Sequence, residues 1–201
     1  QNGSDGITTI SDPASQSWTR IQSVSVHKYI TSWYRSTSSA ITKVTVSNGS
    51  TPTPIIILCE EWPASLTVDK STGNDNGFTS GACSGCAWTT GTTAATTTAN
   101  ELLWAVCGMT TSDFVTYTTP AGWTAGVITP DDSNSADFYK FVSSTGTQSA
   151  SATYTTSPNA GEQGSEVPCI IATFSYAANV INSGGSASGG KVTAGGKATR
   201  Q

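Results

Sequence analysis

An all-β fold, a two-sheet antiparallel β-sandwich of the jelly-roll or immunoglobulin-like kind, is predicted by three features of this sequence. Ser and Thr make up almost a third of the 201 residues, and Thr and the aromatic residues favour strands. The good helix formers Leu, Glu, Lys and Arg are scarce. Alternating apolar and polar runs recur at roughly ten-residue intervals with turn residues between them, the spacing of a sandwich or barrel.

The expected strands follow in chain order. "GITTIS" (Gly6–Ser11), "SWTRIQSVSV" (Ser17–Val26), "YITSWYRS" (Tyr29–Ser36) and "ITKVTVS" (Ile41–Ser47) alternate, so each should face water on one side. "TPIIILCEEW" (Thr53–Trp62) and "SLTVDKS" (Ser65–Ser71) come next, and "TGNDNGFTSGACSG" is expected as a loop. Then come "CAWTTGTT" (Cys86–Thr93), "NELLWAVCGM" (Asn100–Met109), "GWTAGVIT" (Gly122–Thr129), "ADFYKFVSS" (Ala136–Ser144), "QSASATYTT" (Gln148–Thr156) and "VPCIIATFSYA" (Val167–Ala177). The near-continuous apolar runs Ile55–Cys59, Leu102–Cys107 and Cys169–Phe174 read as central strands, buried on both faces. One domain, 1–178, is expected, with 1–6 as an N-terminal arm and a Gly/Ser-rich tail at 179–201.

Net charge −4 with 11% charged residues leaves no basic face for nucleic acid. No apolar run approaches the length of a membrane span. The chain begins at Gln1 without Met, as after removal of a leader or in a fragment. An extracellular, secreted or cell-surface location is expected. The sequons at Asn2 and Asn48 are candidate glycosylation sites. The Thr-rich stretch Thr89–Ala99 is a candidate for O-linked sugar, and its plainer reading is a strand edge and loop.

No catalytic constellation emerges, and an enzyme is not expected. His27 is the single histidine, and no nucleophile-elbow motif surrounds any Ser or Cys. Glu60 and Glu61 are adjacent on an expected strand, so they point to opposite faces and cannot flank one bond. They read as strand-end carboxylates at the rim. Asp69 or Glu101 would have to be recruited as a partner. "CSGC" has the spacing of half a zinc site, but a full site needs about four ligands and no second such pair exists. Cys83 and Cys86 are therefore read as a local disulfide pinning a Gly-rich loop. Cys59, Cys107 and Cys169 read as small core residues; two of them can pair, and an odd count leaves one thiol.

No cofactor is expected, and calcium is the candidate ion. Two Asx-rich stretches supply the oxygen ligands it needs: one with Asp69, Asn74, Asp75 and Asn76, the other with Asp131, Asp132 and Asp137. Asn, Asp and Gly also simply make turns. Of six tryptophans, Trp104 and Trp33 are assigned to the core. Trp62, Trp88 and Trp123 lie beside Pro, Gly or Cys turns and are candidates for a sugar site or a subunit contact.

The order of these segments resembles a recurrent bacterial secreted β-sandwich domain of surface and extracellular proteins. The likeness runs from "GITTISDPASQSWTRIQ" through "SWYRSTSSAITKVTVS", "IIILCEEW", "TVDKSTGNDNG", "TTANELLWAVCGM", "PAGWT" and "FYKFVSSTGTQSASATYT" to "CIIATF", about Gly6 to Phe174. It rests on segment order and patterning. The resemblance implies a non-catalytic surface or adhesive module. It also implies one or two strands ahead of the equivalent of Gly6, whose lack would leave an edge open to another chain.

Together these features point to a structural subunit that polymerises with copies of itself into an extracellular filament. The tail carries Lys191, Lys197 and Arg200, giving it +3 and leaving −7 for the rest, with Val192 the one larger apolar residue from Ser183 on. It is expected to dock on an acidic or open-edged surface of the next copy. The alternative is a secreted carbohydrate-binding or adhesive module; a viral capsid or tail component shares the same sandwich logic.

Overall fold

A computed structural model describes residues 7–12, 17–25, 29–36, 43–48, 58, 60–62, 66–79, 82–108, 115–128, 135–156 and 165–176. The expected N-terminal arm, Asn2, His27, Ile55–Ile57, Cys59, Asp131, Asp132 and the whole tail with Lys191, Val192, Lys197 and Arg200 lie outside the described residues.

The described residues are all-β, with no helix among them. The strands are β1 (Ile7–Ser11), β2 (Thr19–Ser25), β3 (Tyr29–Tyr34), β4 (Thr45–Asn48), β5 (Thr67–Thr79) and β6 (Cys86–Thr89). They continue with β7 (Glu101–Gly108), β8 (Val115–Tyr117), β9 (Thr124–Ile128), β10 (Ser135–Val142), β11 (Ser151–Thr156) and β12 (Ser165–Ser175). A five-stranded sheet has the order β5-β12-β7-β10-β9, and a three-stranded sheet the order β6-β11-β8. Two pairs complete the set, β2-β3 and β1-β4. Every pairing is antiparallel.

Two of the three apolar runs, Leu102–Cys107 and Cys169–Phe174, become the central strands β7 and β12, each buried on both faces; of the third, Leu58 lies outside any strand and the rest lies outside the described residues. One face presents Ala105, Cys107, Ala136, Phe138, Val167 and Cys169 to Trp88, Val115, Tyr117 and Tyr154 of the three-stranded sheet. Trp88 stacks on Phe138 with centroids 5.6 Å apart. The other face presents Val106 and Ile170 to Val24, and Leu102, Ala172 and Phe174 to Ile21 and Tyr34. The β2-β3 pair thus covers that second face. Gly73 makes the approach feasible, since an added Cβ would run into Val24 Cγ2.

Two disulfides reinforce this frame. Cys83 and Cys86 are joined, as the spacing predicts. Cys107 and Cys169 stand opposite each other in the β7–β12 register and form a second, with Cα atoms 4.2 Å apart. Two of the three strand cysteines therefore pair; Cys59 lies outside the described residues.

Three elements differ from expectation. The stretch "TGNDNGFT" is not a loop: β5 runs on through it to Thr79, paired with β12 along its length. Asn76 explains why a turn-rich sequence stays extended. Its Nδ2 donates to Val167 O at 2.8 Å and to Thr89 O at 3.0 Å, while its Oδ1 accepts from Thr89 N at 2.8 Å. The amide replaces ladder bonds at a register shift, where Gly77 takes φ 73° and Pro168, which has no N–H, is tolerated. β8 was not foreseen, because Val115–Tyr117 is too short to show alternation.

The Thr-rich segment is a third departure. Beyond Thr89 it is not a strand but a ladder of threonines with a three-residue period. Thr90, Thr93 and Thr96 are buried and donate their N–H groups to the carbonyls of Ala150, Gln148 and Gly146. Their hydroxyl oxygens accept from the N–H groups of the same three residues, at 3.0, 3.0 and 3.2 Å. Each Thr supplies both halves of a ladder step from one residue, so these three hydroxyls are not open to sugar.

Candidate functional site

Strand alternation places Asp137, Tyr139 and Phe141 of β10 on the face covered by β2-β3. Tyr139 stands opposite Trp104, and Phe141 opposite Leu102. Trp62 packs on this row edge to face, 5.0 Å from Tyr139 and 5.9 Å from Phe141 at interplanar angles of 73° and 84°. Tyr176, just past β12, meets Phe141 at 5.9 Å and 84°. The backbone N–H of Tyr176 donates to Asn100 O, which ties the end of β12 to the start of β7. Leu102 and Phe174 form the floor. Phe141, 39% exposed, is the large hydrophobic left open among the described residues. The four rings therefore form a core-like aromatic cluster with one member facing solvent.

The tryptophan candidates separate. Trp62 belongs to this cluster. Trp88 does not serve a surface: it is 1% exposed inside the chain's own core, a correction to its reading as a sugar or subunit contact. The Cys-rich turn beside it folds back and the Phe138 ring covers it. Trp123 is half-buried against the same core. The turn before it, closed by Trp123 N donating to Pro120 O, has Gly122 at φ 76° in the position that demands a left-handed residue. Trp104 lies between the two clusters of the covered face, and Trp33 is only half-buried.

The carboxylates form two pairs that no local pattern announces. Glu60 lies against Asp137 at the upper end of the covered face, and Trp104 Nε1 donates to Asp137 Oδ2 at 2.9 Å. Burial, then the charge of Asp137 and a hydrogen bond with it, raise the Glu60 pKa to about 7. Glu61 is exposed, whereas Glu60, expected beside it at the rim, is half-buried, and neither lies in a strand. On the opposite face Glu101 is fully buried and raised by burial, while Thr98 Oγ1 donates to it at 2.9 Å. Its neighbour Asp69 is held well below the usual carboxylate range. Burial opposes this, but Lys70 Nζ at 2.7 Å, Thr97 N at 2.5 Å and Thr97 Oγ1 at 2.8 Å all donate to it.

The calcium candidates among the described residues are thereby accounted for by protein partners. Asp69 sits on β5 within the Thr97–Lys70 clasp, Asn74 donates to Asn76 and Thr89 O, and Asp75 accepts from Gly77 N. Asp137 is not in a loop but buried in β10. Among the described residues no group of three or more His, Cys, Asp or Glu side chains is placed to hold a metal. Asn48 ends β4 opposite Ile7.

Tyr139, Phe141 and Tyr176 went unnoticed in the sequence. The signal for the first two was present: Asp137, Tyr139 and Phe141 alternate along one strand and so share a face. Comparison of the chain with family models, curated proteins and solved structures finds no match.

Proposed function

We propose that the chain is a structural subunit of an extracellular filament, a β-sandwich that polymerises head-to-tail through its terminal arms and open strand edges. The observation that carries this reading is the aromatic cluster of Trp62, Tyr139, Phe141 and Tyr176, packed like a core yet open at Phe141. A second copy laid on it would bury an apolar ring that water otherwise touches. β5 and β9 end the five-stranded sheet among the described residues, and such edges invite pairing. Two disulfides accord with an oxidising, extracellular setting. The basic tail, with Lys191, Lys197 and Arg200, then contacts the acidic remainder of a neighbouring copy.

Electron microscopy and sedimentation of the chain, with and without Phe141→Ser, test the reading. Regular filaments that shorten or vanish in the variant, with folding retained by circular dichroism, are expected. A monodisperse monomer at all concentrations, or filaments indifferent to Phe141→Ser and to deletion of 183–201, overturns it.

Exposure of Phe141 also favours a second reading, a carbohydrate-binding surface module. Sugar stacking wants an open ring face, and the near-perpendicular rings here offer no common plane. Binding on a glycan array that is lost in Trp62→Ala would favour it.

A further inference from the structure

The two halves of the chain share a folding unit. "PASQSWT" (Pro13–Thr19) and "PAGWT" (Pro120–Thr124) carry the same Pro-Ala and Trp-Thr pairs, and "WYR" (Trp33–Arg35) matches "FYK" (Phe138–Lys140). The strands around these motifs pair alike. β1 pairs with β4 as β8 pairs with β11, placing Ile10 opposite Val46 and Tyr117 opposite Tyr154. β2 pairs with β3 as β9 pairs with β10.

The register agrees residue by residue. Thr19 faces Tyr34 and Arg20 faces Trp33; Thr124 faces Tyr139 and Ala125 faces Phe138. Both pairs then slip at the next step, between Arg20 and Gln22 in one and between Phe138 and Ala136 in the other. Irregularities are costly to invent and specific in place, so one motif, one register and one slip mark an internal repeat. The run "PIIILCEEW" answers "PCIIATFSY", and Trp62 and Tyr176, which end these runs, both join the aromatic cluster.

Among the described residues the second copy is filled and the first is not. β10 has β9 on one edge and β7 on the other. β3, its counterpart, has β2 on one edge and no strand on the other among the described residues. The side chains register the difference. Phe138 is fully buried, whereas its counterpart Trp33 is half-buried, with the Arg20 guanidinium 6.0 Å above its ring.

We propose that the second edge of β3 accepts an extended strand of the β7 type, a segment patterned like Glu101–Gly108 and supplied by another repeat of this unit. The second copy shows what belongs there: eight β10 residues run in continuous register along β7, from Ser135–Gly108 to Val142–Glu101. The β7 of a folded neighbour cannot donate itself, because it is the buried middle strand and is bonded to β12 through Cys107. The partner is a β7-type segment not yet in a sheet. This does not rest on assembly through Phe141.

The probe is a peptide with the sequence of Asn100–Gly108 carrying Cys107→Ser, added to the full chain, beside a scrambled peptide. Amide hydrogen exchange at Tyr29–Tyr34 should slow about tenfold once the peptide stands about tenfold above its dissociation constant. The scrambled peptide should leave it unchanged. A second variant joins the same nine residues ahead of residue 1 through a flexible linker, and its Tm should rise. Equal protection by both peptides overturns the proposal. So does unchanged exchange at β3 in both the peptide mixture and the fusion.

Discussion

The first repeat, residues 7–62, and the second, residues 115–176, are built on one plan and held by different forces. In the second, Val115, Tyr117, Phe138, Tyr154 and Cys169 meet in one buried cluster, stapled to β7 by the Cys107–Cys169 disulfide. In the first, Ile10, Ile21, Trp33 and Val46 are half-buried. Its strands are tied by an ion pair of Arg35 with Asp12, two nearly inaccessible side chains, and by Trp18 Nε1 donating to Asp12 Oδ2 at 3.2 Å. A buried ion pair returns little net stability, because desolvation offsets its attraction. The first repeat, in which no strand lies on the second edge of β3 among the described residues, thus depends on polar ties and on leaning against the main sheet, through Val24 on Ile170 and Val106.

The widest gap between the repeats should appear at their matched aromatic positions. Phe138→Ala is expected to cost about 3–5 kcal/mol in chemical denaturation, as for a fully buried aromatic. Trp33→Ala, at the half-covered counterpart, should cost about 1–2 kcal/mol in proportion to the area it buries. Equal costs would mean that Trp33 is as enclosed as Phe138 and would break the comparison.

A smaller effect lies at the slip. At Gly126 an added Cβ would meet Asp137 Oδ2 at 2.5 Å, whereas the first repeat has Ile21 after Arg20 and the short Ser32 in place of Asp137. Gly126→Ala should destabilise by about 1–3 kcal/mol. Adding Asp137→Ser should recover part of that loss, with a coupling of at least about 0.5 kcal/mol in a double-mutant cycle. Strict additivity would show that the carboxyl group is not what requires glycine.

The smallest effect concerns the contact between repeats. Glu60 of the first lies on Asp137 of the second with its pKa raised to about 7. A raised carboxyl binds its proton more tightly folded than unfolded, so stability should fall as pH rises from about 4.5 to about 7. Denaturation midpoints across that range should show the decline, and Glu60→Gln should flatten it. A slope unchanged in that variant would assign the dependence to another group.

Much of this architecture was legible in advance. Continuous apolar runs marked β7 and β12, alternation marked β2, β3, β9, β10 and β11, and "CSGC" marked its disulfide. The open face was half legible, because Trp62 stood out while Phe141 was hidden in an ordinary strand. The Glu60–Asp137 and Glu101–Asp69 pairs were not legible, since each joins residues brought together only by sheet order.

By itself the sequence determined the all-β class, most strands and the faces their residues share, because side-chain alternation and β propensity are local. Tertiary structure alone decided which faces were covered. Trp88 and Trp123 read alike beside their turns, yet Trp88 is enclosed and Trp123 is not. Asn76 reads as a turn residue, yet the carbonyls of Thr89 and Val167 keep it in a strand. Burial, charge pairing and open edges depend on which distant strand arrives alongside, and that is set by the packing of the whole sheet.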